Sequence, residues 1–227
     1  MKQIIIKRFF FAGTKLARIY SQFICEHFKV DSVDNLHYSL HYSKLEKGND
    51  QSTNLHKAIY SEFDKDLGSE LVKAYRELQL EWLIDLRSDT KIKDWAIQRY
   101  PSLRIQLPGN ISVFEFHRDS DYKHPLGELN HFLSITKSEG TAALHIEEDL
   151  GWDNYNPLIL NPGESAIINT SIFKHGDMIN RENYTRFSID FRAIPVAVLE
   201  QESGGKSITK GKIFDCSEYF ISSVELT

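Results

Sequence analysis

The chain has 227 residues, of which 41% are hydrophobic and 26% are charged. This length and composition are typical of one soluble globular domain, which buries about 70% of the surface that its unfolded form exposes. A disordered chain and a small disulfide-stapled scaffold are thereby excluded. The formal net charge of -5, together with the absence of a long basic run, argues against broad electrostatic capture of nucleic acid.

Cysteine usage and hydropathy indicate the compartment. Cys25 and Cys216 lie near opposite ends of the sequence and have no metal-ligand spacing, which suits a reducing compartment. Lys7 and Arg8 interrupt the apolar N-terminal residues, and no segment approaches the roughly 20 apolar residues of a membrane span. We therefore expect a cytoplasmic protein that has no membrane partner.

Helical spacing dominates the first 100 residues. Apolar residues recur at intervals of three and four in one segment around Leu16 and in another from Leu71 to Trp82, and Trp95 is also assigned to this helical part. Residues 31–66 have no clear period and contain a polar patch at 47–52, so we predict a loop that could act as a lid.

Short alternating segments separated by turn residues follow residue 100, and each of them predicts a β-strand. These segments are Leu103–Leu107, Ser112–Phe116, Leu129–Thr136, Ala142–Glu147, Ser165–Asn169 and Tyr184–Arg192. Many short strands at regular spacing favour a sandwich or jelly roll. We therefore predict one mainly β domain over residues 1–227, with mainly helical support in 1–100, a β core in 101–196 and a C-terminal extension in 197–227.

Three His-x-acid triplets begin at His117, His145 and His175, and chance alone predicts about one such triplet in this composition. A longer pattern distinguishes two of them. Arg186-Phe187-Ser188 begins eleven residues after His175, and His117 stands 58 residues before it.

This spacing suits a facial iron(II) site, which takes two neutral imidazoles and one carboxylate on one side of the metal. His117 and Asp119 can leave the same face of an extended segment, because residues two apart on a strand point the same way. His175 can supply the third ligand from a distant strand. Asp177 stays open as an alternative carboxylate.

Strand alternation also predicts two faces between residues 186 and 192. The aromatic face should pack on the helices, and the polar face should look into a cavity. Arg186 offers a planar fork and Ser188 one further donor, which together suit the distal carboxylate of a keto-diacid. Arg192, on the same face, is a competitor for that role.

Three segments resemble iron(II)/2-oxoglutarate-dependent oxygenases, and more narrowly the streptomycin-biosynthesis-type subgroup, whose members are associated with small polar metabolites. They are HRDSDYKHPLGELN (His117–Asn130), HGDMIN (His175–Asn180) and TRFSIDFR (Thr185–Arg192). The resemblance covers roughly residues 100–196 and implies a double-stranded β-helix, with 101–196 as the catalytic core.

The resemblance implies a role for five residues. His117, Asp119 and His175 would be the iron ligands, and Arg186 with Ser188 would hold the C5 carboxylate of 2-oxoglutarate. Dioxygen would be the co-reactant. Asp119 argues against a halogenase, because chloride replaces the carboxylate in such members.

Further cavity residues follow from strand alternation. We predict that Asn130 rather than His131 faces the cavity and binds the cosubstrate. Candidate substrate-binding residues are Arg104, Gln106, His145, Trp152 and Arg192.

The predicted reaction is hydroxylation or another oxidation of a sugar, an aminocyclitol or an amino-acid derivative in a biosynthetic pathway. One alternative is a cupin-like metalloenzyme that uses His145 and Glu147 and no 2-oxoglutarate, and another is a non-catalytic jelly-roll binding module. Outside the cupin alternative, the Glu147-Glu148 pair is expected to be solvated.

Overall fold

A computed structural model describes residues 5–41, 53–64, 69–112, 115–202, 205–207 and 211–226. The helices are Phe11–Phe28 (α1), Asn54–Asp64 (α2), Glu70–Thr90 (α3), Val196–Gln201 (α4) and Ser223–Leu226 (α5). The strands are Ile6–Phe9 (β1), Trp95–Gln98 (β2), Ser102–Gln106 (β3), Leu129–Ser134 (β4), Leu144–Glu147 (β5), Tyr155–Pro157 (β6), Glu164–Ile168 (β7), His175–Asp177 (β8), Arg186–Pro195 (β9) and Phe220–Ser222 (β10).

Two antiparallel sheets form the β core. The larger has the order β1-β7-β4-β9-β2-β10, with β3 also paired to β9, and the smaller has the order β6-β5-β8. Apolar residues of both sheets form one cluster, in which Phe132 of β4 and Ile168 of β7 join Leu144 and Ile146 of β5. The prediction of a mainly β jelly roll with N-terminal helices is confirmed.

Helices α1 and α3 cover the outer face of the large sheet. Their apolar stripes face β9: the Tyr20 ring contacts Phe187, and the rings of Tyr75 and Trp82 contact Phe191 edge-on. Ser69 caps α3, since its Oγ accepts a hydrogen bond from the Val72 N–H at 3.4 Å. This packing fixes β9, whose opposite face borders the site.

The segment boundaries expected at residues 100 and 196 are not boundaries of the sheet. Strands β1 and β2 come from the first 100 residues and β10 from the C-terminal extension, and all three join the large sheet. The helical assignment of Trp95 is wrong, since this residue begins β2. Both faces of β2 are buried, so its sequence has no alternation to reveal a strand.

Two other segments differ from the sequence-based expectation. Residues 31–66 contain a 3-10 turn at Val33–Tyr38 and helix α2 instead of a continuous loop, and the polar patch at 47–52 lies outside the described residues. In Ser112–Phe116, residues 112, 115 and 116 are not strand, and 113–114 are not described. Within the described ranges, no helix is long and apolar enough to cross a membrane.

Candidate metal and cosubstrate site

A backbone bridge brings the two predicted histidine ligands together. The His117 N–H donates to the His175 carbonyl at 3.0 Å, and the His175 N–H donates to the His117 carbonyl at 2.9 Å. Asp119 begins a short 3-10 turn, and its N–H bonds the Thr170 carbonyl at 2.8 Å. Main-chain hydrogen bonds therefore place all three residues side by side.

Their side-chain ends converge. Asp119 Oδ1 lies 3.8 Å from His117 Nε2 and 3.7 Å from His175 Nε2, and the three ligand atoms lie within 4.8 Å of one another. Facial ligands lie about 90° apart, so bonds of about 2.1 Å place neighbouring ligand atoms about 3 Å from one another, and side-chain movements of about 1–2 Å would bring these atoms to that spacing. Among the residues that the structure describes, no other group of three or more such side chains converges in this way.

Both rings are oriented by main-chain carbonyls. Nδ1 of His117 lies 2.8 Å from the Glu115 carbonyl, and Nδ1 of His175 lies 3.4 Å from the Phe173 carbonyl. A ring that donates through Nδ1 keeps the Nε2 lone pair for a metal. Burial lowers the pKa of His175 to about 3, so its imidazole is neutral, as a metal ligand must be.

Two neighbouring side chains bind the second carboxylate oxygen of Asp119, Oδ2. Thr170 Oγ1 donates to Oδ2 at 2.6 Å, and Arg192 Nη2 lies 2.9 Å from it. Burial alone would raise the pKa of Asp119, but the Arg192 guanidinium holds it well below its usual value. Asp119 is therefore ionised, with Oδ1 left to face the histidines.

Gly176 permits this close approach. A Cβ at this position would lie 2.9 Å from the Phe116 ring, a distance that real Cβ atoms essentially never show. Phe116 precedes His117 and Gly176 follows His175, so a larger side chain here would push the two ligand segments apart.

A small, partly open cavity adjoins the cluster. Its wall is formed by both candidate ligand histidines, His117 and His175, and by Arg104, Asn130, Phe132, Leu144, Asp177, Arg186, Asp190 and Arg192. Asn130 faces the cavity as predicted, whereas His131 packs on Trp82 and Phe191 below the helices. Within the described part of the chain, Asn130 Oδ1 is buried without a hydrogen-bond partner.

Arg186 is completely buried and held in a fixed position. Its Nη1 donates to Ser188 Oγ at 2.7 Å, and its Nη2 lies 2.6 Å from Asp177 Oδ1 and 3.2 Å from Gln106 Oε1. Asp177 is therefore the partner of the guanidinium and stands outside the metal cluster. Gln106 supports Arg186 and is absent from the cavity wall.

The other candidates occupy different places. Arg104 lines the cavity and pairs with Asp190 at 2.8 Å. His145 is buried, with Nδ1 3.0 Å from the Ala143 carbonyl, and Trp152 is 78% exposed on the β5–β6 connection. Glu147 is completely buried, so its expected solvation is wrong.

Sequence patterns predict neither the contact of Thr170 with Asp119 nor the pairing of Asp177 with Arg186. Both contacts join segments that are distant along the chain or separated by a turn. No spacing rule connects such residues.

Comparison with known proteins identifies relatives, although no family model matches the chain. The streptomycin biosynthesis protein StrG of Streptomyces griseus is 30% identical over 171 residues, which cover 75% of this chain and 77% of that protein.

Two solved structures have the same fold. A nickel complex of the non-haem monooxygenase ThoJ has a TM-score of 0.53 at 10% identity and covers 86% of this chain and 74% of its own. AviO1 from Streptomyces viridochromogenes Tue57 has a TM-score of 0.52 at 11% identity and covers 87% of this chain and 92% of its own. The chain thus belongs to the family of streptomycin biosynthesis protein StrG and has the jelly-roll fold of these two solved structures.

Proposed function

We propose that the chain is a non-haem iron(II)- and 2-oxoglutarate-dependent dioxygenase. Its substrate would be a small polar metabolite, such as a sugar, an aminocyclitol or an amino-acid derivative, in a biosynthetic pathway. The observation that carries this proposal is one cavity bordered by two groups. Its wall contains His117 and His175, whose ligand atoms converge with those of Asp119, and it also contains Arg186, whose Nη1 donates to Ser188 Oγ.

The donor set fits iron(II). His117 and His175 would bind it through Nε2 and Asp119 through Oδ1, which is the two-histidine, one-carboxylate set that such oxygenases use. When bound, the iron activates dioxygen for oxidation of the substrate at the expense of 2-oxoglutarate. The chain itself keeps both rings oriented and Asp119 ionised for this task.

Arg186 and Ser188 would bind the distal carboxylate of 2-oxoglutarate. The guanidinium fork supplies a charged hydrogen bond and the hydroxyl supplies a second donor. Asn130, on the same cavity wall, can donate an amide N–H to another oxygen of the cosubstrate.

Charge pairing around the cavity supports a dianionic cosubstrate together with a divalent cation. Each arginine on the wall faces an aspartate: Arg104 pairs with Asp190, Arg186 with Asp177, and Arg192 with Asp119. The two positive charges of iron(II) and the two negative charges of doubly ionised 2-oxoglutarate add up to zero. Binding both together therefore avoids an uncompensated charge, which is costly in a buried site.

The substrate would approach past His117, whose side chain is 13% exposed. The nearby β5–β6 connection is anchored beside this opening, because Asp153 pairs with Lys174 at 2.8 Å and the Tyr155 ring contacts Phe116. Trp152 on this connection offers an exposed flat apolar surface, which suits the face of a ring-shaped substrate.

An anaerobic titration with iron(II) and 2-oxoglutarate tests the proposal. We expect the weak visible charge-transfer band of the chelate in the wild-type protein and its loss in His117→Ala. His145→Ala should keep the band. Folded, iron-loaded protein that gives no band would overturn the proposal, and iron binding that depends on His145 would favour the cupin-like alternative.

A further inference from the structure

Glu147, at the end of β5, is a buried acid that lies outside the cavity wall. Its side chain is completely inaccessible to solvent. Oε1 accepts a hydrogen bond from the Gly151 N–H at 2.7 Å, and Oε2 accepts one from the Lys174 N–H at 3.0 Å. Arg118 Nη2 also lies 3.4 Å from Oε2.

The donors to Oε2 adjoin all three candidate metal ligands. Arg118 stands between His117 and Asp119, and Lys174 directly precedes His175. The Arg118 side chain also donates from Nε to the Ile172 carbonyl at 2.7 Å. One carboxylate and one guanidinium therefore connect the two segments that form the cluster.

Main-chain contact strengthens this connection. The Glu147 N–H donates to the Lys174 carbonyl at 2.8 Å, so Glu147 holds Lys174 through both its backbone and its side chain. The third donor to the Glu147 carboxylate is the N–H of Gly151, which lies on the β5–β6 connection beside Trp152. Removing the carboxylate would leave the part-buried Gly151 and Lys174 N–H groups without this acceptor, so the main chain at both positions would lose a fixed contact.

We propose that Glu147 is a positioning residue for the metal site. It holds the main chain on both sides of the cluster so that the ligand atoms of His117, Asp119 and His175 face one ion. This inference rests on the proposed metal-binding role of the three residues. Outer groups that orient ligands typically change metal affinity by about 10- to 100-fold when removed.

Cobalt(II) binding to the full chain tests the inference without measuring turnover. Cobalt affinity and the visible d–d spectrum report ligand number and geometry. We expect about 10-fold or greater loss of affinity and an altered spectrum in Glu147→Ala. Glu147→Gln keeps one acceptor oxygen, so its cobalt affinity should fall only several-fold.

Glu148→Ala is the matched control. The neighbouring Glu148 points to the other side of β5, where it accepts from Asn156 Nδ2 at 2.8 Å within the same hairpin. Its removal should leave cobalt affinity and spectrum unchanged. Thermal unfolding of each variant identifies the temperature at which all are folded for the comparison.

The outcomes separate the two proposals. Unchanged cobalt affinity and spectrum in folded Glu147→Gln and Glu147→Ala would overturn the positioning role, even if both variants unfold at lower temperature. Failure of the wild-type protein to bind cobalt would overturn the proposed function and this inference with it.

Discussion

Strand β9 separates two regions of opposite chemistry. On the side of the helices, Phe187, Ile189 and Phe191 are completely buried among aromatic and aliphatic side chains. On the side of the cavity, Arg186 and Arg192 are almost equally buried but are charged and paired with aspartates. Neighbouring residues of one strand thus differ in chemistry while sharing the same degree of burial.

The two faces of β9 should therefore contribute differently to the stability of the fold and to the binding of ligands. Burial of large apolar side chains stabilises a fold strongly, whereas buried ion pairs contribute little net stability because desolvation offsets their attraction. The helix-facing side should therefore determine the free energy of unfolding. The cavity-facing side should determine which ion and which carboxylate the protein binds.

Removing one of the proposed ligand histidines gives the largest expected effect on the cavity side. His175→Ala should abolish iron(II) binding, measured by anaerobic titration, with an unfolding midpoint close to wild type. His145→Ala is the matched control, since His145 is also a buried strand histidine with Nδ1 near a main-chain carbonyl. Full iron occupancy in His175→Ala would contradict the assignment.

Phe191→Ala tests the opposite side of the same strand. Loss of this buried ring should lower the free energy of unfolding by about 3–5 kcal/mol, since a cavity remains among the packed rings. Urea unfolding measures this change. The metal affinity of the folded variant should stay at the wild-type value, and a large fall in affinity would show that the two sides are coupled.

Arg186→Ala should weaken 2-oxoglutarate binding by about 10- to 100-fold, which corresponds to the roughly 1.5–3 kcal/mol of a charged hydrogen bond. Metal affinity should change much less. Calorimetric titration of 2-oxoglutarate into metal-loaded protein measures the effect.

Arg186→Lys is the accompanying control, because it retains a positive charge opposite Asp177 but loses the planar fork. We expect weakened cosubstrate binding in this variant with a well-preserved fold. Wild-type affinity in both variants would move the carboxylate-binding role to another cavity arginine.

His131 gives the smallest expected effect, and it appears only in acid. Burial lowers the pKa of His131 from the ordinary 6.5 to about 3. Between these values the unfolded chain binds a proton that the folded chain does not, so stability falls as the pH drops below 6.5. At pH 5 the loss is about 2 kcal/mol, taking about 1.4 kcal/mol per pKa unit.

His131→Phe should remove this share of the pH dependence. We expect urea unfolding at pH 7.5 and pH 5 to show a smaller difference in the variant than in the wild-type protein. An identical difference in both proteins would show that His131 is protonated in the folded state at pH 5.

Alternation and spacing predicted much of this arrangement. The two faces of β9 and the inward position of Asn130 follow from side-chain direction on strands. The residue spacing, together with the family resemblance, predicted the grouping of His117, Asp119 and His175. The pairing of Arg186 with Asp177 and the burial of Glu147 depend on tertiary contacts across loops, which no local pattern encodes. Strand β2 shows no alternation because both of its faces are buried, so its sequence does not indicate a strand.

The bridge between His117 and His175 joins positions 58 residues apart in the sequence, so the unfolded chain contains no comparable site. An ion that binds only the folded chain shifts the folding equilibrium, by about 2.7 kcal/mol at a concentration a hundredfold above its dissociation constant. Iron supply would therefore influence the lifetime of the chain as well as its reactivity. In iron-poor cells, a larger fraction of newly made protein would be open to proteases.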